Sequence, residues 1–332
     1  MKKIVTIGGG SGHSQVLKAL KNMPGIQITG ICPSTDSGGS TGVLQREYNG
    51  SGYTGDITKC VAALCDDETL SKALMYRYEG GALHSHSVKN LLFHALEKVS
   101  DTEEALETMW RIGGLGVHRV LPVTNEKTVL CASLRIGNTV FGETNIDTIA
   151  KNPLWNPEVH SISDIYLKPE VPASKLVTDA IADADCVVIC PGDLYSSIIP
   201  VLLPHGMRES LQASRAHITV ILNIMTKKGE TDNYTATDFV EKIERYLGRE
   251  ADRIICNNDP IPQEILLKYS LEQKVELESF ENPNDPRIMS VPLALISESE
   301  QILTDPKKLA DAMHMLFPSV SALSADAAIR AV

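Results

Sequence analysis

The 332-residue chain contains no run of 18 apolar residues, no Gly-Lys-Ser or Gly-Lys-Thr tripeptide and no surplus of positive charge. Each absence removes a class of function. Without a long apolar run, no membrane-spanning helix is expected. Without the tripeptide, the phosphate loop of ordinary nucleoside triphosphatases is missing. With 31 Lys and Arg against 42 Asp and Glu, a formal net charge of −11, the basic field that a general nucleic-acid binder needs is missing too. Nor does cysteine supply a disulfide framework. The seven residues, at 32, 60, 65, 131, 186, 190 and 256, are odd in number, scattered and mostly set in apolar runs. They read as reduced core residues of a cytosolic protein. Met1-Lys2-Lys3 opens like a secretory signal, but the apolar run behind it is short and breaks into glycines, so the expected location is cytoplasmic.

Hydrophobic residues at 43% and charged residues at 22% are the balance of a globular chain with a sizeable core. The organising stretch is Lys3-Ile4-Val5-Thr6-Ile7-Gly8-Gly9-Gly10-Ser11-Gly12, followed by the helical pattern Gln15 to Leu20. A β-branched run that ends in glycines and turns into a helix is the first β-turn-α of a doubly wound sheet, with amides aimed at an anion. The dinucleotide fingerprint is incomplete, because His13 stands at the third glycine position. The acid expected about 20 residues on is also missing, since the second strand, Ile26 to Ile31, runs into Cys32 and Pro33. NAD is therefore disfavoured. Taken alone, the glycine run also fits a tight turn with no ligand.

Further loops follow strand-like segments. Pro33 to Gly42 combines glycines, hydroxyls and the carboxylate of Asp36, which suits phosphate wrapping with Asp36 on Mg²⁺ or a sugar hydroxyl, and equally a surface loop. Asp56 starts a helix over Tyr53 to Leu64, where an Asp is often simply a cap. His84 and His86 are two apart and cannot share a helix face, so zinc is not expected there, while His86, Ser87 and Asn90 at a helix start can donate to a phosphate or sugar. The strand Cys186 to Cys190 delivers Pro191 to Ser197, and the strand Ile218 to Asn223 delivers Met225 to Asp232. These loops converge on the carboxyl edge of one sheet, where open α/β folds bind ligands. Between them, Arg119–Val123, Thr128–Leu134 and Thr139–Gly142 alternate as strands of a small antiparallel insertion, with a hairpin at Gly137-Asn138 and Pro153 to Pro172 as return linker. The expected fold class is α/β: a Rossmann-like, doubly wound, mainly parallel sheet. It forms one domain over 1–318 with the insertion at about 117–170, followed by an Ala-rich tail over 319–332.

The order of motifs resembles the gluconeogenesis-factor (YvcK-type) branch of the CofD-like family. Gly-Gly-Gly-Ser-Gly, Asp36 to Gly42, Gly55-Asp56-Ile57, His86 to Leu92, Pro191 to Pro200 and Asn223 to Asp232 carry the likeness. The resemblance implies a Rossmann-like cytosolic protein that binds a nucleotide-linked phosphate compound. The YvcK-type branch binds UDP-sugars and is associated with carbon metabolism and cell shape; CofD members move a phospholactyl group from a guanosine diphosphate donor with Mg²⁺. The implied ligand contacts are Gly9, Gly10, Ser11, Gly12, Asp36, Gly38, Gly39, Ser40, Gly55, Asp56, His86, Ser87, Asn90, Gly192, Asp193, Tyr195, Ser196, Asn223, Thr226, Lys227, Lys228, Glu230 and Thr231. Asp36 is the one candidate for a metal ligand, and for a catalytic role if the protein is an enzyme. Two positions depart from the family pattern: Ser37 replaces the second of two aspartates, and Lys89 replaces a glycine. No cofactor is required by this reading, with Mg²⁺ an option; a regulatory protein partner and a homodimer are compatible with it, and nucleic acid is not.

Overall fold

The computed structural model describes residues 1–316 apart from 273, 278 and 279; the expected tail lies outside the described residues. Its main sheet has the strand order β10-β9-β8-β7-β1-β2-β3. The strands are β1 (Lys2–Ile7), β2 (Ile26–Cys32), β3 (Arg119–Pro122), β7 (Cys186–Ile189), β8 (His217–Ile221), β9 (Arg253–Asn257) and β10 (Ile288–Val291), with every pairing parallel. A second sheet, β5-β4-β6, is antiparallel and built from β4 (Val129–Leu134), β5 (Thr139–Phe141) and β6 (Ile162–Lys168). A two-stranded ribbon pairs β11 (Ala294–Ile296) with β12 (Ile302–Thr304).

The sheet is buried on both faces, which is why its strands are continuous apolar runs. Period-two alternation sends Val5, Ile7, Val187, Ile189, Ile218 and Val220 to one core, with the helices Lys175–Ala182 and Ala236–Leu247 and the inner face of the antiparallel sheet. Ile4, Ile28, Val188 and Ile221 point the other way, against α1 (Gly10–Leu20), α3 (Thr54–Leu64) and the helices Val88–Val99, Thr102–Ile112 and Pro306–Leu316. Two further helices of this region are α2 (Gly39–Tyr48), which follows β2, and Glu68–Met75, which follows α3. On α1 the positions His13, Val16, Leu17 and Leu20 are buried, the spacing of one helix face.

Two expectations for the middle of the chain are corrected. Arg119–Pro122 belongs to the main sheet: it pairs in parallel with β2, Gly30 opposite Val120. A short apolar run does not encode its pairing direction, and both faces of β3 are covered, with Trp110 Nε1 donating to the Val120 carbonyl at 3.1 Å. The return linker, in turn, contains a strand. β6 pairs with β4 along most of its length, but a register shift at Ser133/Leu134 places Ile162 and Ile165, three apart, both in the core. That shift breaks the simple alternation by which a strand is read.

β1 and β7 are neighbours although the crossovers leave β1 in opposite directions, so the strand order reverses between them. The carboxyl edge at this reversal is the ligand crevice of a doubly wound fold. Gly12 fixes its floor: a Cβ there would lie 1.9 Å from the Pro191 carbonyl oxygen. Gly12→Ala should therefore force α1 away from the loop after β7 and destabilise the fold by about 2–4 kcal/mol. Urea unfolding would check this, and a loss under about 0.5 kcal/mol would contradict the close contact.

Candidate functional site

Two joined cavities run along this edge. The larger, about 700 Å³, is lined by Ser11, Gly12, Gly192, Asp193, Asn223, Thr226, Lys227 and Lys228, with Ile224, Met225, Tyr269, Lys151 and Lys274 on its outer wall. The smaller, about 320 Å³, is lined by Gly10, Asp36, Gly38, Gly39, Ser40, Gly55, Asp56, Asn90 and Ser196, together with Lys59, Arg77, Lys89, Glu143 and Ser197. Asp147 and Asp193 line both, so the chambers meet there.

The smaller chamber is built from helix beginnings. Gly10 starts α1, Gly39 and Ser40 start α2, Gly55 and Asp56 lie in the first turn of α3, and Lys89 and Asn90 in the first turn of Val88–Val99. First-turn amides have no intrahelical acceptors, and the dipoles of these helices add positive potential. Asp56 is not a cap of its own helix. Its Oδ1 accepts the Gly10 amide at 2.8 Å, so one glycine-loop donor is already used. Asp36 Oδ1 accepts the Gly38 amide at 2.9 Å. A Cβ on Gly55 would sit 2.4 Å from Asp36 Oδ2, so only glycine lets the two carboxylates share the chamber. Burial, then the Asp56 charge, raises the Asp36 pKa to about 6.

Lys89, one of the two positions that the resemblance marks as departures, lines the smaller chamber from within the protein. It is buried, and its Nζ donates to the Asn90 side chain at 2.7 Å, Thr58 Oγ1 at 3.0 Å and the Gly55 carbonyl at 3.1 Å. Burial, then Lys59, lowers its pKa to about 8. Ser37, the other such position, docks the antiparallel insertion. Its Oγ donates to Thr144 Oγ1 at 3.1 Å and accepts the Thr144 amide at 3.1 Å. This brings Glu143 over Asp36, and burial with the Asp36 and Asp147 charges raises the Glu143 pKa to about 7.

On the β7 and β8 side, several expected contacts turn inward. Glu230 has a fully buried carboxylate that accepts the Tyr195 amide at 2.7 Å, the Ser196 amide at 3.3 Å and Ser196 Oγ at 2.7 Å. It thereby caps a π-helical turn over Leu194–Ile198. Tyr195 is buried with its hydroxyl on Tyr234 at 2.8 Å, and Thr231 Oγ1 accepts the Lys227 amide at 2.7 Å. Lys227 binds three carboxylates: Glu230 at 3.0 Å, Asp193 at 2.7 Å and Asp147 of the insertion. Burial alone would lower its pKa, but these carboxylates raise it above the usual lysine value. Asp147, Asp193 and Glu230 bring their oxygens within 4.8 Å of one another, and the Lys227 ammonium serves as their cation. Its charge is thus spent on the protein, and Lys228 is the loop lysine left to face the chamber. Asn223 clamps the two loops, donating to the Gly192 carbonyl and accepting its amide, both at 2.8 Å.

The structure therefore brings most of the expected residues to one edge, with named exceptions. Gly9 packs beneath the edge against Pro33, His86 lies beside it bonded to Ser40 Oγ at 2.9 Å, and Ser87 is buried. Lys59, Arg77, Glu143 and Asp147 were missed. They stand outside the glycine motifs, and only the tertiary fold brings them in.

A doubly wound sheet with a two-chambered cleft at its reversal point, ringed by glycine loops, defines a Rossmann-like α/β protein. The chain belongs to the CofD family: the model of 2-phospho-L-lactate transferase CofD matches residues 4–291. It is similar to the gluconeogenesis factor of Bacillus subtilis, 36% identical over 276 residues that cover 81% of this chain and 83% of the relative. It is likewise similar to the gluconeogenesis factor of Halalkalibacterium halodurans, 34% identical over 278 residues, with 82% of each chain covered. The crystal structure of a UPF0052-family protein from Bacillus halodurans superposes with a TM-score of 0.83 at 30% identity, over 94% of this chain and 99% of that one. Among the described residues, no helix is long and apolar enough to cross a membrane.

Lys227→Met would leave the Glu230 carboxylate buried without its cation. It should cost about 3–5 kcal/mol of stability in urea unfolding, against under about 1 kcal/mol for an exposed ion pair. The raised acids give a second expectation. Their folded pKa values, about 6 for Asp36 and about 7 for Glu143, lie above the unfolded ones, so their contribution is complete below about pH 4 and is lost as pH rises through 6 and 7. Asp36→Asn with Glu143→Gln should remove a fall of on the order of 2 kcal/mol between pH 4 and 7.5. An unchanged pH profile of the melting temperature would contradict these environments.

Proposed function

We propose that the cleft binds a nucleotide-linked phosphate compound of the UDP-sugar type, and that the protein acts as a regulator in carbon and cell-envelope metabolism. The observation that carries this reading is the convergence of four helix N-termini on one chamber of a strongly acidic chain. The nucleoside fits the larger chamber, whose outer wall offers Met225 and the Tyr269 ring. The diphosphate lies where the chambers meet, along Ser11, Gly12 and Gly192 with its sugar-side phosphate facing the helix N-termini of the smaller chamber, Lys228 on one side and Lys59 and Arg77 on the other. The sugar fills the smaller chamber, within reach of Asp36 and Ser40. Ligand held between the insertion and the edge would change the exposed face of the insertion, which a partner protein can read. The relatives named gluconeogenesis factors support the regulatory part of the reading.

The paired carboxylates favour a second reading, a phospholactyl-type transferase working from a nucleoside diphosphate donor to an acceptor hydroxyl. Asp36 and Asp56 line the smaller chamber together, and their hard carboxylate oxygens fit the chemistry of Mg²⁺. These two residues would hold the ion, which would neutralise charge on the transferring group. Calorimetry separates the readings. UDP-N-acetylglucosamine should bind with little dependence on Mg²⁺, and Lys228→Gln should weaken it by about 1.5–3 kcal/mol while leaving uridine unaffected. Release of UMP or GMP from sugar- or lactyl-linked donors, appearing only with Mg²⁺ and an acceptor, would decide for the transferase.

A further inference from the structure

Directly beneath the glycine loop lies a buried group that plays no part in the proposed ligand site. Cys32, the last residue of β2, and Cys60, on the second turn of α3, hold their sulfurs 3.5 Å apart, the Cys32 thiol donating to Cys60. His13 completes the group, with Nδ1 3.5 Å from Cys60 Sγ and 3.9 Å from Cys32 Sγ. The same Nδ1 is 2.7 Å from the Gly8 carbonyl, and Nε2 is 2.8 Å from Thr6 Oγ1. With Nδ1 committed to Gly8 it offers no lone pair to a metal.

We propose that Cys32 and Cys60 form a peroxide-oxidisable thiol pair whose disulfide state releases the glycine loop. Burial pushes the Cys60 thiol up, but the Cys32 thiol and the His13 ring outweigh it and hold it at about 6. Burial keeps Cys32 protonated. One sulfur is thus the nucleophile and the other the resolving thiol. The Cys60 thiolate attacks a peroxide oxygen, the O–O bond breaks, and His13 protonates the departing hydroxide to water, leaving a sulfenic acid. Cys32 sulfur then attacks the Cys60 sulfur and expels a second water, its own proton leaving with it. Two thiols are oxidised and one hydrogen peroxide is reduced to two waters. The pair is buried but adjoins the smaller chamber, since Pro33, next to Cys32, and Asp56, one turn before Cys60, line it, and the oxidant must be of water size to reach the sulfurs from there.

The consequence is mechanical. Joining the sulfurs draws α3 towards β2, and the residue one turn earlier on α3 is Asp56, which holds the Gly10 amide. Oxidation also takes from His13 the thiolate that stabilises its cation. Both supports of the glycine loop change together. Because the proposed nucleotide site includes that loop, its affinity should fall at least tenfold, a consequence that rests on that reading.

The test needs no nucleotide. Reduced protein is exposed to hydrogen peroxide, alkylated under denaturing conditions, digested and read by mass spectrometry. The expected product is a Cys32–Cys60 linked peptide with the other cysteines alkylated, reversed by dithiothreitol. Cys32→Ser should stop the reaction at a dimedone-reactive Cys60, and Cys60→Ser should abolish it. In wild-type protein, amide exchange across residues 8–14 should rise at least tenfold on oxidation. Thiols at 32 and 60 as unreactive as Cys186 would overturn the proposal, and so would a Cys60–Cys190 link or a metal ion bound to the pair. A disulfide formed without faster exchange at 8–14 would overturn it as well.

Discussion

The contact on which the arrangement depends is between the start of α1 and the loop after β7. Gly12 brings helix backbone to within van der Waals contact of the Pro191 carbonyl, a separation that any side chain would prevent. It closes the crevice between β1 and β7 from below, so that two loops from opposite halves of the sheet meet as one floor. Asp56 then ties Gly10 to α3, and Asn223 ties Gly192 to the loop after β8. Each tie is a short bond from a side chain to backbone, the means by which irregular loops acquire a fixed shape.

Electrostatics follows from that packing. A chain with net charge −11 has no long-range field to draw in an anion, so its attraction must be local. Helix N-termini and individual cations supply it, while Asp36 and Asp56 stand among them and would repel a phosphate that came too near. On the proposed reading the chamber would discriminate by position, with phosphate favoured along the amides and hydroxyls or a metal ion favoured at the carboxylates. Lys227 takes no part in that attraction. Held by three carboxylates, it joins the antiparallel insertion, through Asp147, to the loops of the main sheet.

The fold was legible because its strongest signals are local: the strand-glycine-helix opening, the apolar strands and the polar loops behind them. The edge on which the loops gather follows from the doubly wound pattern alone. The inward turn of Tyr195, Glu230 and Thr231 was not legible, because a polar loop reads as solvated until it is known that four donors surround Glu230. Likewise β6 hid behind a register shift and β3 behind an apolar run without direction. Glu143 and Asp147 could be found only by seeing that the insertion folds back, since their neighbours Asp36 and Lys227 are 107 and 80 residues away in the chain.

The most direct measurement is a crystal structure of the protein with UDP-N-acetylglucosamine. The account predicts the base in the chamber bordered by Met225 and Tyr269, the diphosphate against the Ser11, Gly12 and Gly192 amides, and the sugar beside Asp36 and Ser40, with Lys227 still on its three carboxylates. Ligand density away from the β1/β7 edge, or a diphosphate that displaces Lys227 from Asp193 and Glu230, would contradict it.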